Sequence, residues 1–256
     1  MVIERESLDG VEIVRLARGK VNALDLELVT AITETFTSLG DGSVRPIVLT
    51  GSGKAFSAGV DLPRVLDGGP GYVRRFLPAL ADAFEAVFSI GRPVVAAVNG
   101  HAIAGGCILA TACDHRIMGE AGSIGVTELA VGVPFPLSAM EILRFAVGDG
   151  PARRAVFEAS TFTADEALTR GFVDEVVGST EVVSRAVQAA RRLAGTIPAE
   201  TYEFTKWQLR HDVNERLARL RPEQDRAVTR LWEASLRDGS IGSYLERLRR
   251  GTAEPR

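Results

Sequence analysis

Residues 51–61 read GSGKAFSAGVD, and residues 99–107 read NGHAIAGGC. Each stretch follows an apolar run, 46–50 and 93–98, with the length and β-branched content of a buried strand. Each then turns through glycine where a strand is expected to hand over to a helix. Two strand ends can therefore present backbone N–H groups toward one point. Such donors carry partial positive charge at a helix start and need no reorganisation when negative charge develops on a substrate oxygen, so the pair predicts an oxyanion hole. Taken singly, either cluster reads as a plain turn or a close-packing site, and only the pair carries the functional reading.

Outward from these segments, strands alternate with helices. Residues 12–17 read as a strand after the Asp9-Gly10 turn. Residues 24–39 read as a helix, because Leu28, Ile32, Phe36 and Leu39 recur at helical spacing. Residues 72–90 follow as a helix with a broad apolar face, and Gly105–Ala112 as a helix apolar on nearly all sides, which belongs in the core. Residues 115–118 predict a strand and Leu137–Val147 a helix. Thr163 and Glu166 have capping-box spacing, Gly171 supplies a stop, residues 172–177 read as a short strand, and 179–194 as a helix. The alternation predicts an α/β class with crossover connections. No internal repeat or low-complexity tract is evident.

From Pro198 onward the pattern is almost wholly helical, so the break at 195–198 divides a core, 1–195, from a C-terminal helical region, 196–256. The arginines of this tail alternate with Glu215, Glu223, Asp225, Glu233 and Glu246, a pattern of solvated faces or subunit contacts rather than a nucleic-acid surface. A net charge of −3 agrees, and 46% hydrophobic content is ordinary for a globular enzyme. Cys107 and Cys113, the only cysteines, sit in an apolar segment and read as buried thiols in a reducing cytoplasm. The charged start, MVIERESLDG, lacks the apolar run of a signal peptide, and no stretch reaches the roughly eighteen apolar residues of a membrane span.

The segments FSAGVDL, 56–62, and AGGC, 104–107, resemble the two signatures of the crotonase family, the enoyl-CoA hydratases and isomerases. VNAL, 21–24, precedes them and CDHRI, 113–117, follows, and the resemblance runs over roughly residues 11–177. It implies a ββα spiral core whose C-terminal helices cover an acyl pocket and help build homo-trimers or hexamers. It also implies an acyl-CoA thioester as substrate, in fatty acid metabolism, with no metal or redox cofactor because the thioester is the electron sink. The oxyanion donors map to the N–H groups of Val60 and Gly105. The carbonyl of Ala58 would meet the adenine amino group and the backbone around Ala23 would line the thioester arm. Gly59, Asp61, Leu62 and Ile108 complete the implied substrate contacts. Lys54 is either a phosphate partner or a surface lysine.

Hydratases of this family use two carboxylates, and the first of those positions falls here on Ile108, one helical turn from Gly105. The second falls on Glu128, a lone acid among apolar residues on a later loop, where burial would raise its pKa toward neutrality. An apolar residue after AGGC resembles the Δ3,Δ2-enoyl-CoA isomerase branch, in which one carboxylate moves a proton from C2 to C4. A hydratase, a non-catalytic acyl-CoA-binding protein and another enolate reaction, such as decarboxylation or thioester hydrolysis, stay open as alternatives. His101, His115 and His211 have no metal-ligand or triad companions, and Ser57 has no nucleophile elbow. Pro134, Phe135 and Pro136 are expected to shape the acyl pocket, and GGPG at 68–71 to be a gate or a loop.

Overall fold

The two apolar runs that flank the glycine segments form the middle of a sheet covered on both faces. The computed structural model describes residues 2–40 and 45–251. Its strands are β1 (Ile3–Leu8), β2 (Val11–Leu16), β3 (Ile47–Gly51), β4 (Ala55–Ser57), β5 (Val94–Val98), β6 (His101–Ile103), β7 (His115–Gly119), β8 (Ser123–Gly125), β9 (Thr161–Thr163) and β10 (Glu175–Val177). One sheet has the order β1-β2-β3-β5-β7-β10 and the other β4-β6-β8-β9. Only β1 and β9 run antiparallel to their neighbours. Every residue of β3 and β5 is buried, which is why both read as continuous apolar runs rather than alternating ones.

The helices are α1 (Leu26–Gly40), α2 (Leu62–Ser89), α3 (Gly105–Ala112), α4 (Glu128–Val131), α5 (Leu137–Val147), α6 (Asp149–Glu158), α7 (Ala164–Thr169), α8 (Val182–Thr196), α9 (Ala199–Arg237) and α10 (Ser240–Arg249). Val48, Val95 and Ala97 face α8 across one side of the large sheet. Leu49, Val94 and Ala96 point the other way, into the main core with α1, α2 and α3. Among the described residues no helix is long and apolar enough to cross a membrane.

Chain order resolves this arrangement into three successive ββα turns, β3-β4-α2, β5-β6-α3 and β7-β8-α4, with the first strand of each in the large sheet and the second in the small one. This is the spiral core and C-terminal helical region that the resemblance implies, in a mixed α/β fold. It also corrects the reading that the chain has no repeat: the backbone course repeats while the side chains do not. What recurs is a missing side chain where one turn lies on the next. A Cβ on Gly100 would stand 2.0 Å from the Lys54 carbonyl oxygen, and one on Gly122 would stand 2.6 Å from that of Gly100.

Several local expectations change. The glycine segments do not pass straight from strand to helix, since β4 and β6 intervene, each three residues long and too short to show a period. Helix α2 starts ten residues before its apolar face, at Leu62, because Asp61 caps it by accepting from Arg64 N–H at 3.0 Å, with Pro63 in the first turn. The GGPG stretch lies not in a loop but at a break inside α2, with Gly69 at φ 59°, ψ −158°. Of residues 172–177 only the last three are strand, since Phe172 N–H donates to Ala167 O at 2.8 Å and ends α7 with a turn. The Thr163–Glu166 capping box forms as its spacing predicts.

Helix α9 packs on α2 and α5. Its first half is pinned where α3 ends, as Lys206 Nζ and Arg210 Nη2 each reach the Asp114 carboxylate at 2.8 Å. Both cations are nearly fully buried, and desolvation pushes the Lys206 ammonium down to about 8. Asp114→Ala would strand two buried positive charges. It is expected to cost about 3–5 kcal/mol in urea unfolding at neutral pH, more than Lys206→Met, which leaves Asp114 its arginine.

Candidate active site

Asn22 builds the first half of the site. It is fully buried at φ 51°, and its Nδ2 donates to the carbonyls of Ser52 and Ala55 at 3.1 and 2.9 Å, while its Oδ1 accepts from Arg18 N–H at 3.0 Å. The residues that follow lie alongside 58–61: Ala58 N–H donates to Val21 O, Leu24 N–H to Gly59 O, and Asp61 N–H to Leu24 O, at 2.8–3.0 Å. This ladder engages Gly59 and Asp61, so the N–H of Val60 between them points the opposite way. Among the described residues it meets no acceptor.

The second half touches the first. A Cβ on Gly59 would lie 2.7 Å from Ile103 O and 3.3 Å from Gly105 N, and one on Gly105 would lie 3.9 Å from the Gly59 Cα. Ala104, the N-cap of α3, adopts φ 52°, ψ −120°, a conformation that costs a non-glycine residue about 1–3 kcal/mol. It is held there by its own N–H on Gly125 O at 2.8 Å and by Ile108 N–H on its carbonyl at 3.1 Å. The strained residue turns the chain so that Gly105 N–H opens α3 without an acceptor among the described residues. Two free donors thus stand on adjoining turns of the spiral.

Glu128 opens the short helix α4, not a loop as expected. Gly132, left-handed at φ 89°, and Val133 both return their N–H groups to the Glu128 carbonyl at 3.1 Å. The side chain is buried with Oε2 unpartnered. Burial pushes its pKa up to about 7, with the N–H groups of Glu128 and Thr127 pulling partly back.

A cavity of about 300 Å³ joins these parts. Ala58, Val60, Leu62 and Glu128 line it, as does Ala104. Of the other residues named from sequence, Gly59 and Gly105 form the contact behind the wall and Ala23 stands in the ladder beside it. Asp61 is spent on capping α2, and Ile108 is fully buried in the core, off the cavity surface, because α3 is covered on every side. Lys54 is exposed on the β3–β4 turn. Pro134, Phe135 and Pro136 do not line the cavity; Val131 and Val133 do.

The remaining wall escaped sequence reasoning. Trp232 of α9 and Tyr244, Leu245 and Leu248 of α10 close the cavity from far along the chain. Their one sequence signal is apolar character within a charged tail. His101, His115 and His211 lie off the cavity, and the Ser57 hydroxyl donates to Asn22 O at 2.8 Å. Burial pushes both cysteine thiols up, Cys113 to about 12, as inert thiols. Among the described residues no cluster of three potential metal ligands exists.

Residues 6–251 match the profile of the family described as enoyl-CoA hydratase/isomerase. The mitochondrial enoyl-CoA delta isomerase 1 of Rattus norvegicus is 28% identical over 253 residues, spanning 97% of this chain and 87% of the relative. The short-chain-enoyl-CoA hydratase of Clostridium acetobutylicum is 31% identical over 201 residues, 77% of this chain and 76% of the relative. The crystal structure of human mitochondrial delta3-delta2-enoyl-CoA isomerase superposes with a TM-score of 0.88 at 30% identity, over 98% of this chain and 99% of that one.

Glu128 makes stability depend on pH. Because its pKa rises on folding from 4.5 to about 7, stability present in full below 4.5 is lost as pH climbs to about 7, where the loss levels off at about 3 kcal/mol. Urea unfolding of Glu128→Gln should lack this component, so the variant gains on wild type between pH 4.5 and 7.5.

Proposed function

The chain belongs to the enoyl-CoA hydratase/isomerase family, the crotonases, and from that premise we propose that it moves the double bond of a 3-enoyl-CoA to position 2 through a dienolate. Isomerases and hydratases both stand among its relatives, so the choice between them rests on this chain's cavity. One observation carries it: Glu128 is the single carboxylate among the lining residues, so no second acid stands there to activate water.

In this reading the thioester oxygen lies between Val60 N–H and Gly105 N–H. The Glu128 carboxylate removes a C2 proton, and the C–H electron pair delocalises over C2, C3, C4 and the carbonyl oxygen. The two N–H groups stabilise that charge, each contributing about 2.7–4 kcal/mol in comparable sites. Glu128 then returns the proton at C4, leaving a double bond between C2 and C3, and ends ionised again. A base with a pKa near the working pH suits both transfers, and a mostly apolar cavity wall discourages addition of water to the product. The expected homo-trimer or hexamer belongs to the same proposal, supported by Phe204 and Trp207, whose rings stack and stand exposed on α9.

The test follows conversion of 3-hexenoyl-CoA to the conjugated product by ultraviolet absorbance. Wild type should isomerise with little hydration, and Glu128→Gln should fall at least about a hundredfold. Because the carboxylate must be ionised to start, kcat/KM should rise with pH through about 7 and then level off. A wild type that binds acyl-CoA without Glu128-dependent turnover would establish a binding protein instead.

A further inference from the structure

Helix α4 has four residues, too few to hold a side chain still by its own hydrogen bonds. What fixes the segment around it comes from 98 to 117 positions later in the sequence. Ser235 Oγ on α9 donates to Gly132 O at 2.6 Å, and Trp232 Nε1, one turn earlier, donates to Pro134 O at 3.0 Å. Arg247 Nη2 on α10 reaches Ala130 O at 3.3 Å. These carbonyls belong to alternate residues of the strip that leads away from Glu128, and all three turn toward the C-terminal helices. Gly132 and Val133 in turn bond the Glu128 carbonyl, so the base is separated from the α9 hydroxyl by a single hydrogen-bonded turn. Trp232 is 2% and Ser235 6% exposed, so water cannot readily replace either bond.

We infer that Trp232 and Ser235 are positioning residues for the Glu128 base: by gripping Gly132 O and Pro134 O they fix where its carboxylate meets the substrate carbon. The inference rests on the proposed reading of Glu128 as the base. Misplacing a catalytic group by about 1 Å can cost about a hundredfold in rate. Loosening the turn admits water to Oε2, which lowers the carboxylate's pKa and leaves the substrate's coenzyme A contacts as they were.

The experiment compares Ser235→Ala, Trp232→Phe, which keeps a ring in the cavity wall and loses the N–H, and their combination, all on 3-hexenoyl-CoA. Glu128→Gln reports on the base itself, and Leu217→Ala, a buried α9 residue outside the cavity wall, controls for lost stability. The expected result is kcat lowered about tenfold or more in each single variant with KM within about twofold. The pH limb of kcat/KM should move to lower pH, and the double variant should fall short of the product of the singles. Leu217→Ala should unfold at lower urea while its pH limb stays in place. If Glu128→Gln abolishes turnover while Ser235→Ala and Trp232→Phe keep the wild-type kcat and pH limb, the positioning inference fails alone. Losses that Leu217→Ala reproduces, limb included, overturn it as well. If Glu128→Gln retains wild-type turnover, the base assignment falls and the inference with it. Should Trp232→Phe not fold, Ser235→Ala decides the matter.

Discussion

Everything the site does depends on how closely one turn of the spiral can approach the next. Side chains at Gly59 or Gly100 would drive a Cβ to within 2.7 or 2.0 Å of a carbonyl oxygen on the adjoining turn, distances no real packing tolerates. With those positions empty, β4 and β6 pair as parallel strands through a register shift between Ala55 and Ser57, and the residues just after them leave two peptide N–H groups without acceptors, that of Val60 on the cavity wall and that of Gly105 just behind it. The two free donors are therefore products of backbone spacing rather than of side-chain chemistry. Any residue able to keep φ at Val60 would serve there, whereas its neighbour Gly59 has no substitute.

Polar accounting gives the same picture from another side. Buried donors and acceptors are almost always paired in folded proteins, because each unpaired one costs about 1–3 kcal/mol. Here Val60 N–H, Gly105 N–H and Glu128 Oε2 are left without partners around one mostly apolar cavity, and Ala104 adds a strained backbone between them. The surroundings offset this. Asn22 satisfies carbonyls on both sides of the β3–β4 turn, and Asp114 neutralises Lys206 and Arg210 while tying α9 to the end of α3. Two donors and one acceptor without partners in this fold are what the proposed reaction requires, a thioester oxygen that gains charge beside a carbon that loses a proton.

Much of this was legible in the sequence where the signal is local. Continuous apolar runs gave β3 and β5, the all-apolar α3 had to be core, the Thr163–Glu166 spacing gave its capping box, and the glycine segments located the donors. The three- and four-residue elements β4, β6, β8, β9 and α4 carry no period and were not readable, and the equally short β10 was found only within a run read twice too long. The start of α2 was hidden because its first turn rests on the Asp61 cap and Pro63 rather than on an apolar face. The cavity wall was hidden for a different reason. Nothing near Trp232 or Tyr244 in the chain indicates which distant surface they meet, and the residues closer to Glu128 that looked suited to the task, Pro134 to Pro136, serve as an anchor instead.

The cavity draws its parts from residue 58 to residue 248, and this order has a consequence for a chain made from one end. Once residue 128 has left the ribosome, the ladder, both free N–H groups and the carboxylate are all present, yet the side on which Trp232 and Tyr244 will stand is open water. In that state Glu128 and the two free N–H groups face water, and the cavity does not yet exist. Domains fold as units during synthesis from the N-terminal side. The cavity therefore forms last, when α9 and α10 fold back over a scaffold already built, and the desolvation of Glu128 depends on the part of the chain made after everything else.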